Sequence, residues 1–137
     1  MLRKLTIGSI IILFTIGVLS WQKYASVTAN NGQQIVEVSV PNLSQNATQG
    51  KELFDKNCSV CHGQNAAGKH EIAPPLVHII YEPNHHGDQA FLLAAKNGIR
   101  AHHWPFGNMP PVEAVTKEQV KLITEYVREL QRANGIN

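Results

Sequence analysis

The chain has 137 residues, enough for one domain and little more. Apolar residues make up 43%, an ordinary share for a globular protein, so disorder is not the expected state. From residue 30 onward nine Lys/Arg face ten Asp/Glu, which leaves no basic footprint for nucleic acid and excludes that class of partner.

Arg3 and Lys4 precede a charge-free apolar run from Leu5 to Trp21. As a helix it would extend roughly 26 Å, close to the ~30 Å of a hydrocarbon core. Trp21 and Tyr24 fall where an interfacial aromatic belt lies, and Lys23 where a cation snorkels. The basic pair ahead of the run favours an orientation that sends the rest of the chain across the membrane. Two readings stand: a membrane anchor within residues 1–24, and a signal segment cleaved near Ala29, where Val27-Thr28-Ala29 has small-residue character. Both export the domain, to the periplasmic side of an inner membrane, anchored through residues 5–21 or released as a soluble form.

Residues 25–45 read as a polar linker, interrupted by the alternating stretch Ile35–Val40, which suggests either a short strand or extended chain lying on the domain. Asn46, with Gln49 three residues on, is expected to cap a helix running to about Asn57, with Leu53 and Phe54 on its apolar face. A loop follows over 63–87, where Pro74, Pro75 and Pro83 rule out regular helix. Asp88 is expected to cap a second helix, stopped at Gly98. After another loop containing Pro105, Gly107, Pro110 and Pro111, a last helix starts at Thr116, with Val120, Ile123, Val127 and Leu130 on one stripe. Residues 133–137 are left as a tail. Short helices joined by loops this long do not bury a core unaided, which argues for a bound group that completes it.

The two cysteines stand three apart in Cys58-Ser59-Val60-Cys61-His62, the signature of haem c attachment. Each thiol adds to one porphyrin vinyl group, the two intervening residues set the sulfurs at matching reach, and the adjacent His62 comes under the iron. A dithiol redox motif would want a βαβ context, which is missing. A zinc site would need a second ligand pair, for which His85-His86 or His102-His103 remain open.

With these residues in view the chain resembles the class I c-type cytochromes over residues 46–132. The resemblance rests on Gly50 and Phe54 before the motif, on Cys58, Cys61 and His62, and on Pro74 and Leu76 in Ala-Pro-Pro-Leu. Gly98, the Met109-Pro110 pair and Tyr126 on the final helix complete it. It implies an all-α cytochrome c fold, three to four short helices around one covalent haem c, here with an N-terminal hydrophobic helix. It further implies that Gly50 and Phe54 meet Tyr126 where the first and last helices cross. The carbonyl of Pro74 would accept a bond from His62 Nδ1–H, fixing the ligand's tautomer.

Met109 is the candidate for the second axial position. It is the only methionine besides Met1, it sits in a Pro-rich loop between helices, and a thioether is a soft ligand that raises the haem potential. His85, His86, His102 and His103 are the competitors for that position. Read simply they are solvated loop residues; they also suit haem propionates or a second metal such as copper. Because adjacent residues of a strand or helix point apart, a metal site would take one histidine from each pair. Arg100 and Trp104 are further candidates for propionate contacts.

An iron with both axial positions filled by protein leaves no room for oxygen or peroxide, so the expectation is a one-electron carrier between redox proteins, not an enzyme, with no small-molecule substrate. The competing readings are a peroxidase or gas sensor with a labile Met109, and a metal-handling protein that uses the histidine pairs.

Overall fold

A computed structural model of the protein describes residues 17–20 and 32–137. The expected anchor over residues 5–21 and the cleavage position near Ala29 lie outside the described residues, apart from the helical 17–20. Among the described residues no helix is long and apolar enough to cross a membrane. Gly32–Asn137 forms one compact unit.

That unit is helical. Helix α1 spans Gln45–Asn57, a single turn α2 spans Ser59–His62, α3 spans Asp88–Asn97 and α4 spans Lys117–Ala133. Two 3-10 turns, Gln64–Ala66 and Ile79–Tyr81, lie in the loop between α2 and α3. Helix α4 is fixed at its start by a reciprocal capping box. Gln119 N–H donates to the Thr116 hydroxyl (3.3 Å) and Thr116 N–H donates to Gln119 Oε1 (2.9 Å). Its stripe is buried as the spacing requires, with Val120, Ile123, Val127 and Leu130 at 6% exposure or less.

The cap of α1 is Ser44, not Asn46. The Ser44 hydroxyl accepts from Ala47 N–H at 3.2 Å, while Asn46 lies inside the helix and its amide donates to the Glu125 carboxylate of α4. The cap of α3 likewise falls one residue earlier than expected, on Gly87, because Asp88 turns its carboxylate to Arg128.

Ile35–Val40 makes no strand. The backbone N–H groups of Ile35 and Val36 both donate to Ala67 O, and Ser39 exchanges two bonds with the Asn134 side chain. The segment is extended chain lying on the domain. Residues 32–45, read from sequence as linker, therefore pack within the compact unit. So does the end of the chain, where Ile136 is buried in the core.

Helices α1 and α4 form the main contact of the fold. Phe54 and Tyr126, both fully buried, meet with ring centroids 5.6 Å apart, and burying each ring contributes about 2–3 kcal/mol. Gly50 makes the approach possible: a Cβ there would sit 2.0 Å from Leu122 O and 3.0 Å from Tyr126 Cβ. Backbone cannot rotate aside as a side chain can, so the helices would have to separate. Gly50→Ala should cost about 3 kcal/mol, read as a lowered urea midpoint with the haem still attached; an unchanged midpoint would contradict this packing.

Burial, and secondarily the charge of Asp55, pushes the Tyr126 phenol up to about 12. Its hydroxyl also reaches Asn65 Oδ1 at 3.3 Å. A phenol whose folded pKa exceeds its unfolded value near 10 stabilises fully below pH ~10 and loses that contribution as pH rises toward 12. Stability from urea unfolding should fall by about 2–3 kcal/mol across that window, and Tyr126→Phe should remove most of the slope.

Candidate haem site

The attachment motif is wound onto the end of α1. Cys58 N–H donates to Phe54 O (2.8 Å), continuing the helical pattern, and His62 N–H donates to Cys58 O (2.9 Å), closing the turn of α2. Both cysteines and His62 line one apolar cleft. The Cys58 thiol is pushed up to about 11, first by burial and then by Cys61. That is the wrong direction for a dithiol redox centre, whose attacking thiol is held near 7.

His62 is buried, and burial lowers its pKa against the opposing bond to Pro74. Its Nδ1 lies 2.9 Å from Pro74 O, so a neutral ring donates there and keeps Nε2 as a lone-pair donor. The loop that delivers Pro74 is tightly turned: Asn65 and Ala66 are both left-handed (φ 53° and 58°), and Leu76 N–H returns to Ala66 O at 2.8 Å.

Met109, half-buried, lines the same cleft from the loop after α3. It is placed by a two-bond bridge with Ile99, 2.9 Å in each direction. Gly98 allows that bridge. Its φ is +73°, and a Cβ would lie 2.5 Å from Met109 O.

Most of the remaining wall is apolar, with Leu76, Val112, Val115 and Ile123 and, from α3, Ala90, Phe91, Ala94 and Ala95, while His86, His102, His103 and Asn108 add polar groups. No residue of α3 is fully buried, although these four apolar side chains face this cleft. Trp104 Nε1 is buried with no hydrogen-bond partner. The Tyr81 phenol feels it, since burial raises that phenol's pKa and Trp104 opposes the rise, but no bond of ordinary geometry joins them. An apolar cleft, two thiols, an oriented imidazole, a thioether and one orphaned N–H together fit a haem with its polar edge.

Two residues that sequence reasoning missed hold the loop over the site. Arg128, 6% exposed, donates to Asp88 Oδ1 (2.8 Å), Tyr81 O (2.7 Å) and Gln131 Oε1 (2.6 Å), and also to His86 O. Gln131, fully buried, donates to Leu76 O (2.8 Å) and Tyr81 O (3.0 Å). Because Asp88 remains largely exposed, the three carbonyl bonds matter more than the ion pair. The available signal was their position: residues 124, 128 and 131 continue the buried side of α4 at helical spacing.

The histidine pairs do not point apart. His85 and His86 rings stand 4.6 Å apart and His102 and His103 rings 4.3 Å apart, and His85 meets His103 across the two loops at 5.3 Å. The expectation drawn from strands and helices fails because the chain here is a turn, with His85 and His86 N–H both donating to Glu82 O. Arg100 is exposed.

Residues 47–131 match the family Cytochrome c. The chain is also similar to the "Cbb3-type cytochrome c oxidase subunit CcoP" of Azospirillum brasilense, 33% identical over 116 residues. That match takes in 73% of this chain and 36% of the relative, so the chain spans about a third of the relative's length. Motif, helical fold and family match agree: the chain belongs to the cytochrome c family and binds haem c covalently.

Proposed function

We propose that this chain is a one-electron carrier whose haem is attached at Cys58 and Cys61, with His62 and Met109 as the axial ligands and Pro74 as the acceptor that orients His62. The bound haem supplies a single electron by cycling between ferric and ferrous iron. The observation that carries the reading is that His62 and Met109, from separate segments, line one apolar cleft, each with its backbone or ring already fixed by a hydrogen-bonded partner. Two preset ligands leave little to rearrange during electron exchange, and the apolar walls keep water from the iron.

Similarity to a subunit of a cbb3-type cytochrome c oxidase supports a membrane respiratory complex as the redox partner. The charge-free run from Leu5 to Trp21 supports export with the domain held at the membrane, or released if cleaved near Ala29. Anchoring would raise the carrier's effective concentration at such a complex.

A redox titration followed by visible spectra tests the reading. The expected result is one reversible one-electron wave, a low-spin spectrum in both states and a thioether-to-iron band in the ferric form. A high-spin ferrous spectrum with rapid CO binding would overturn it in favour of a gas-binding or peroxidatic role.

A further inference from the structure

We propose that His85, His86 and His103 form a site for a divalent transition-metal cation of the copper or zinc class, at the rim of the haem cleft and distinct from the haem iron. One ring nitrogen from each residue lies within 4.8 Å of the others. His85 Nε2 and His103 Nε2 are 3.4 Å apart. Two ligand nitrogens about 2.0–2.1 Å from a tetrahedral ion stand roughly 3.3 Å from each other, so this edge of the site is already at coordination distance. His85 and His103 are exposed, and rotation of their rings closes the rest.

The ring tautomers are set for the same purpose. His86 Nδ1 is 2.7 Å from Ile80 O, so its N–H is engaged there and Nε2 is left as the lone-pair donor. His102 repeats the pattern, Nδ1 to Arg100 O at 2.9 Å, and stands beside His103 as a fourth imidazole. Metal-bound histidines carry this backbone-carbonyl bond on the nitrogen opposite the metal. The loop bearing His86 is also held rigidly, because buried Arg128 donates to both His86 O and Tyr81 O.

The rings converge from two separate loops, His103 facing both His85 and His86 at 5.3 Å, and one nitrogen of each of the three meets the others. A cation shared by the facing lone pairs resolves the arrangement. An all-imidazole set selects Cu²⁺ or Zn²⁺ over Mg²⁺ or Ca²⁺, which take oxygen ligands. His86 and His103 also line the haem cleft, so a dication held there would favour the reduced haem and raise its potential.

The test uses the full-length, haem-loaded protein titrated with Zn²⁺, which is redox-inert, by calorimetry. One equivalent should bind, and the His85→Ala/His103→Ala double variant should weaken binding by about 100-fold or more. His70→Ala, an exposed histidine outside the group, should bind as the parent does. The haem spectrum of His85→Ala, at a position outside the haem cleft, should match the parent's, and saturating Zn²⁺ should raise the midpoint potential of the parent but not of the double variant. Absence of stoichiometric binding, or equal binding by the double variant, overturns the site. A changed haem spectrum in His85→Ala also overturns it, since the cluster would then serve the iron.

Discussion

The Cys58→Ser/Cys61→Ser double variant, purified without haem, should unfold without a cooperative transition, while the haem-loaded parent melts sharply. The reason lies in how the core is divided. The protein-only part of the core is centred on the α1–α4 contact, with Phe54, Tyr126, Val127 and Leu130 at its heart. Helix α3 contributes no fully buried residue, and its Phe91, Ala94 and Ala95 line the cleft together with Leu76 and Val115. Without the cofactor those walls meet water, and α3 is left with the packing of Phe91 on the core, the Val112 N–H bond to Ala95 O and the Arg128 bond to Asp88. The loss should consume most of the ~5–15 kcal/mol by which a domain of this size is stable. Calorimetry and far-ultraviolet dichroism would report it as a missing heat-absorption peak and a broad, shallow melt. A haem-free chain with the parent's denaturant slope would show that the cleft is not part of the core.

What could be read before the structure was whatever depends on short stretches of chain. The start of α4 after Thr116 and its buried stripe act within a few turns, and both appear as expected. The Gly50–Tyr126 approach was legible only through resemblance, because no local pattern connects residues so distant in the chain. Helix starts were misjudged where two cap candidates adjoin. Asn46 and Asp88 are good caps in isolation, but each has a long-range partner, Glu125 and Arg128, that draws its side chain elsewhere. The histidine cluster failed for a related reason. Its two halves are separated by the whole of α3, and the turn at Glu82 sets their directions. Arg128 was hidden by its own chemistry: a charged residue on a helix is assigned to solvent unless the carbonyls it will satisfy are already known.

Met109→Ala carries the second large effect, and the local geometry makes it a clean substitution. Met109 is held by backbone bonds alone, its N–H to Ile99 O and its carbonyl from Ile99 N–H, so truncation leaves the loop in place. What is lost is the thioether. Axial ligands set haem potentials over about 0.8 V, and replacing the soft sulfur should lower the midpoint by on the order of 100 mV or more. Two outcomes then separate. If the position stays open, the ferrous variant binds CO rapidly. If His102 or His103, which line the same cleft, moves in, the variant stays low-spin and closed to CO, with a lower potential still. Adding His102→Ala and His103→Ala to Met109→Ala should then restore CO binding. Gly98→Ala should move the potential the same way by a different route: its Cβ would collide with Met109 O at 2.5 Å and displace the loop that carries the sulfur. A potential that stays put in both variants would mean that the iron never relied on Met109.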